Sequence, residues 1–234
     1  MDLLHYNNIP VWDFFSRLDQ EDELKHQEIK DFENAMLEAF YDNDTEKIKK
    51  LRPLIEESNL SVKDKKEEIL LLDAWLESMK KPDEKPDTKL RNTIKEKIFN
   101  IPNFTKVKVT LFCNFIQFYD LETDKMIAKK IINQYINTNN TKMQVALLAI
   151  IDNILAYAVN IGKENVVDYF IESGKKIKTK PELFFYKTVF YFFESLIDYR
   201  LHNNKDSYLK SMKIKNFIVD IGMDNYGRSL EKLL

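Results

Sequence analysis

Three histidines, His5, His26 and His202, and one cysteine, Cys113, are the side chains of this chain best suited to metal or nucleophilic chemistry. A zinc site needs several His or Cys ligands at short, regular spacing. These histidines lie far apart in sequence. A cysteine nucleophile needs a base to take its proton. Cys113 sits in the apolar run Thr110-Leu111-Phe112-Cys113-Asn114, where a lone cysteine serves as a small core side chain. Only 4 glycines are present, and no phosphate-cradling loop or nucleophile elbow can be traced through them. The clusters of Asp, Glu and Lys read as solvated helix faces. Catalysis, a cofactor and a metal are therefore not expected.

Polar side chains inside apolar runs are more informative. Asn114 lies between Leu111-Phe112-Cys113 and Phe115-Ile116, and Asn153 lies within Ala149 to Leu155. An amide on a buried helix face must find partners or cost about 1 to 3 kcal/mol. Two readings stay open. The amide is satisfied by a neighbouring helix, or it faces a groove and grips a peptide backbone with its donor and acceptor. The stretch from Phe184 to Phe193 is apolar nearly all round, which implies burial on two sides: core on one, and a groove or a second copy on the other.

The elements that must position these residues are helices. Hydrophobic residues make up 44% of the 234, with only 4 Gly and 6 Pro, too few turn-makers for a β-rich protein of this length. Amphipathic periodicity predicts a helix from about Glu21 to Tyr41, with Leu24, Ile29, Phe32, Met36, Leu37 and Phe40 on its apolar face. A second carries Ile48, Leu51, Leu54 and Ile55, and Pro53 is expected to kink it. The helix after Ser61 bears Ile69, Leu70, Leu72, Ala74, Trp75 and Leu76. Lys80 to Pro86 is a loop. Further helices are predicted near Thr88–Ile98, Phe104–Tyr119, Thr123–Ile136, Lys142–Asn160 and Glu164–Ile177. The last begin at Pro181, near Asp206 and near Asn225. The apolar run Val145–Ile161 is interrupted by Asp152 and Asn153, so no membrane span is expected.

The first helix of each successive pair begins near residues 21, 62, 104, 142 and 182, at intervals of roughly 38 to 42 residues, within the range of helix-pair repeats. One pair cannot bury its apolar faces alone, so neighbours must stack. The fold expected is all-α: a right-handed stack of helix pairs, a divergent tetratricopeptide-like solenoid.

The segment Ile98-Phe99-Asn100-Ile101-Pro102-Asn103-Phe104, then Leu111-Phe112-Cys113-Asn114, then Asn153 in the next long apolar helix, and the closing stretch Met212–Leu234, together resemble the C-terminal regulatory domain of the Rgg (GadR/MutR) family of transcription regulators from Gram-positive bacteria. Phe104 stands where the family often has Trp, and Val107-Lys108 where Tyr-Glu is common. The resemblance implies a cytoplasmic homodimer that senses a short hydrophobic peptide in a concave groove, as in quorum sensing. It also implies a helix-turn-helix head. Residues 1–18 are expected to be only the tail of such a head plus a linker, with the regulatory domain over 19–234.

Charge sets a further expectation. Lys+Arg is 36 and Asp+Glu 38 overall, and the first 50 residues hold 13 acidic and 6 basic side chains. Such a surface repels phosphate, so no DNA binding is expected from this chain alone. The groove is expected to be lined by Asn114, Asn153, Tyr186, Lys187 and Phe190, on the first helices of successive pairs, with Lys187 either attracting a peptide carboxylate or simply solvated. The dimer is expected to form through Phe217, Ile218, Ile221, Leu230 and Leu233, an apolar set that would otherwise lie exposed at a chain end. The alternative is an adaptor that binds a folded protein through its acidic N-terminal face. An enzyme built on Cys113 is a third possibility.

Overall fold

The computed structural model describes residues 11–81 and 83–234, with side chains from residue 23 onward. The sequence-derived assignment of residues 1–18 to a helix-turn-helix tail thus falls largely outside the described residues. The described residues form eleven α-helices and no strand, in two compact units, Met1–Pro86 and Asp87–Leu234.

The first unit holds α1 (Val11–Tyr41), α2 (Thr45–Glu57) and α3 (Val62–Ser78), each packed against the other two. The first of these begins ten residues before the expected start at Glu21. The side chain of Asp44 accepts from Lys47 N at 2.9 Å and starts α2. Ser61 does the same for α3, accepting from Asp64 N at 3.1 Å. Pro53 does not end α2. It lies on the exposed side, where the Lys49 carbonyl that loses its donor can bond water. The core joins Met36 and Ala39 to Ile48, Ile55, Leu72 and Trp75, with the Phe40 and Trp75 rings 5.0 Å apart. Leu24 and Leu54 are exposed rather than part of these apolar faces.

The second unit runs α4 (Thr88–Asn100), α5 (Lys106–Asn114), α6 (Leu121–Tyr135), α7 (Thr141–Asn160), α8 (Asp168–Lys176), α9 (Phe184–His202), α10 (Lys205–Asp220) and α11 (Asp224–Glu231). Helix α7 is its axis and packs against α5, α6, α8 and α9. It is long and apolar enough to cross a membrane by length and composition, but 61% of that stretch is buried against its neighbours, as in a core helix. Helices α5, α7 and α9 begin close to the expected 104, 142 and 182, and α7 touches both of the others, which is the side-by-side packing that stacked pairs require.

Turn chemistry ends these helices. Gly162 adopts φ +66° after α7, and Lys163 N returns to Ala158 O at 2.8 Å, closing the helix with a left-handed cap. At the end of α9, Asn203 takes the left-handed position with φ 53°, and Asn204 then caps α10. One expected helix is broken. The segment Phe104–Tyr119 is α-helical only over Lys106–Asn114; a short 3-10 turn follows over Ile116–Phe118, and Phe115, Ile116 and Phe118 turn inward as buried residues, the rings of Phe115 and Phe118 stacked 5.5 Å apart. Burying these side chains outweighs continuing the helix.

Candidate functional site

Successive residues of an α-helix point about 100° apart, so Asp152 and Asn153 of α7 lie on different sides of the helix. Asn153 is exposed and Asp152 is buried. The Asn153 side chain donates through Nδ2 to the carbonyl oxygen of Cys113, 3.3 Å away. Cys113 lies in the last turn of α5, where carbonyls have no partner further along the helix. An amide has two N–H donors and a carbonyl acceptor. One donor is engaged, and the geometry presents the rest of the group at an exposed position. Asn114, the last residue of α5, is half-buried beside this contact. The fold therefore brings the two asparagines to one place. The helix break explains this: Asn114 lies at a helix end, not inside an apolar helix.

The α9 residues behave differently. Lys187 is 4% exposed, and its ammonium donates to Gly174 O at 2.7 Å, near the end of α8. It also lies 5.3 Å from the centre of the Phe190 ring. Phe190 is fully buried. A Cβ on Gly174 would fall 2.2 Å from Phe190 Cε2, so the absence of a side chain at residue 174 is what lets α8 approach α9 this closely. Phe190 and Lys187 thus belong to the core behind the asparagines, and Lys187 is not positioned to meet a peptide carboxylate. Their apolar and aromatic neighbours looked the same in sequence as groove lining would. Tyr186 is half-buried, next to Phe185, whose ring lies 5.3 Å from that of Tyr226 in α11.

Asp152 is the site residue that the sequence pattern did not single out. Both of its carboxylate oxygens are buried with no hydrogen-bond partner. Burial holds its carboxyl well above the usual carboxylate range, and the charge of Lys187 offsets this only in part. Burial, opposed by Asp152 and Glu194, lowers the Lys187 ammonium. Burial disfavours the charged form of each group, and both lie in the core on a different side of α7 from the exposed Asn153. Burial, aided by Asp152, pushes the Cys113 thiol up to about 12. A thiol held in that form is a poor nucleophile, which counts against an enzyme built on Cys113.

The expected dimer residues divide. Ile218 and Leu230 are core residues, and Leu233 is half-buried. Phe217 and Ile221 remain 41% and 53% exposed. Leu209 precedes them on the same face of α10 and is also exposed, and Phe184 packs edge-on to Phe217 at 6.1 Å. The spacing 209, 217, 221 was available in the sequence as an i, i+8, i+12 stripe.

A profile of the family described as HTH-type transcriptional regulator Rgg, C-terminal domain, matches residues 47–232. Among solved structures, the SHP pheromone receptor Rgg2 of Streptococcus dysgalactiae is similar, with a TM-score of 0.64 and 16% identity over 98% of this chain and 80% of that one. A Listeria monocytogenes EGD-e protein assigned to transcriptional regulation is similar with a TM-score of 0.65 and 15% identity, over 87% of this chain and 72% of that one. No curated protein sequence matches. At these identities the solved structures share the fold.

Proposed function

The chain belongs to the Rgg family of HTH-type transcriptional regulators, matched through the C-terminal domain of that family, and from this premise we propose that it senses a short hydrophobic peptide, held at Asn153 and Asn114, and works as a cytoplasmic homodimer. The family regulates transcription and is not a family of enzymes. The single observation that carries the proposal is the exposed Asn153 amide, anchored on Cys113 O with hydrogen-bonding capacity left over. An extended peptide has an unsatisfied backbone, and an amide can match both its N–H and its C=O. We assign the half-buried Tyr186 of α9 to the apolar side chains of the peptide.

The peptide-receptor description of the similar Rgg2 structure is consistent with this ligand class. Quorum sensing in a Gram-positive bacterium is the setting the reading supplies. We place the dimer contact on the exposed stripe of α10 around Phe217 and Ile221, where apolar side chains meet solvent at positions suited to a second copy. The residues of this chain are not proposed to contact DNA, since the first 50 carry 13 acids against 6 bases. Calorimetric titration of the protein with a library of short hydrophobic peptides tests the reading. Saturable binding of library members supports it, and no heat from any member overturns it.

A further inference from the structure

A second surface lies away from the asparagines. Helices α8, α9 and the start of α10 enclose an open groove of about 620 Å³, a volume in the range of ligand and peptide clefts. Its floor is one face of α9, from Tyr191 to Leu201, and its walls are the 168–175 face of α8 and the first turns of α10. Tyr191 and Leu201 are large apolar side chains left 51% and 43% exposed. They sit ten residues apart on one helix, hence about 15 Å apart along its axis.

The lining is acidic. Four carboxylates line the groove, those of Asp168, Glu172, Glu194 and Asp198, against two lysines. One of the lysines, Lys175, is bridged between Glu172 and Glu194 at 3.1 Å to each. Asp198 is held as an anion: Ser207, His202 and Asn204 all bond its carboxylate, and the Ser207 hydroxyl foremost holds it below the usual range. The result is a groove whose floor carries two apolar anchor points with Glu194 and Asp198 between them, and in which carboxylates outnumber lysines four to two.

We infer that this groove docks an amphipathic, basic helical segment of a partner protein, with two apolar side chains about three turns apart and Lys or Arg on the flanks. The excess of carboxylates selects against an acidic segment and against an anionic membrane, both of which would bring negative charge to negative charge. The inference is independent of the peptide site, since none of the groove's lining residues belongs to the Asn114–Asn153 cluster.

The test uses the full chain and two fluorescein-labelled synthetic helices of about 16 residues, each with leucines at the two anchor positions. One carries lysines on its flanks and the other glutamates. Fluorescence anisotropy at low salt should show saturable binding of the lysine helix, with the glutamate helix weaker by about tenfold or more. Leu201→Asp and Glu172→Lys, both at exposed positions, should each reduce binding of the lysine helix by about tenfold with an unchanged circular dichroism spectrum. Equal binding of the two helices, or undiminished binding by Leu201→Asp, overturns the inference. Protection of the groove by self-association, seen as loss of lysine-helix binding when unlabelled protein is concentrated, also overturns it, because the occupant would then be a second copy.

Discussion

Asn153 of α7 and Cys113 of α5 are forty residues apart in sequence and joined by one hydrogen bond, from the amide Nδ2 to the backbone carbonyl, at 3.3 Å. This bond sets the orientation of the amide and ties the end of α5 to the middle of the core helix. The residue before it, Asp152, turns into the core, where Lys187 of α9 offsets part of its burial. Recognition and core integrity therefore meet on two successive residues of one helix, and they can be perturbed separately.

The core side is tested at Gly174. Its Cβ position is occupied by the Phe190 ring, and the Lys187 ammonium bonds its carbonyl. Alanine is ordinarily the better helix former by about 1 kcal/mol. Here Gly174→Ala should instead destabilise the protein by about 1 to 3 kcal/mol, because Phe190 is fully buried and has nowhere to retreat. Urea denaturation followed by circular dichroism measures this, and a stabilised variant would show that α8 and α9 are not in this contact.

Asp124 provides a pH-dependent test. Both carboxylate oxygens are buried with no hydrogen-bond partner, and burial, with the nearby Asp120 charge, raises the group to about 8. Its folded value lies above the unfolded one, so the folded state holds the proton more tightly. The contribution is fully present below about pH 4, falls as pH rises from there, and is lost once pH passes about 8. Asp124→Asn removes the penalty. Its stability advantage over the parent should be small at pH 4 and reach a few kcal/mol near pH 9. Thermal melts across that range check it, and an advantage that does not change with pH contradicts it.

How much of this was legible in the sequence depended on which periodicities are unambiguous. The starts of α3, α5, α7 and α9 followed from apolar spacing and caps, because long amphipathic helices leave a strong pattern. The break after Asn114 did not, because Phe115, Ile116 and Phe118 look alike whether they continue a helix or fold back into the core. The same ambiguity affects the α9 aromatics. A ring facing a groove and a ring facing the core have the same letter, so Phe190 read as lining and is interior. Lys187 read as solvated or ligand-facing, since a lysine is seldom buried. The carbonyl of Gly174 that accommodates it becomes a partner only through the tertiary fold. Hydrophobicity alone groups Ile218 and Leu230 with Phe217 and Ile221, whereas burial separates the two sets.

That separation makes the dimer testable. Light scattering at micromolar concentration should report about twice the 27.9 kDa chain mass. Phe217→Asp together with Ile221→Asp places charges on the exposed stripe and should give a folded monomer. Ile218→Asp buries a charge in the core and should unfold the protein rather than divide the dimer. A parent protein that is strictly monomeric, or a double variant that remains dimeric, would contradict the assignment of this face.

The most direct test of the central claim is the affinity of Asn153 variants for the hydrophobic peptide that binds the parent most tightly. Asn153→Ala removes both halves of the amide, and Asn153→Asp keeps its size while replacing the donor, so the pair separates hydrogen bonding from packing. Calorimetry should show that each loses about 1 to 3 kcal/mol of binding, roughly 5- to 150-fold in Kd, while circular dichroism and the melting temperature remain close to the parent's. Parental affinity in both variants would contradict a peptide site at Asn153.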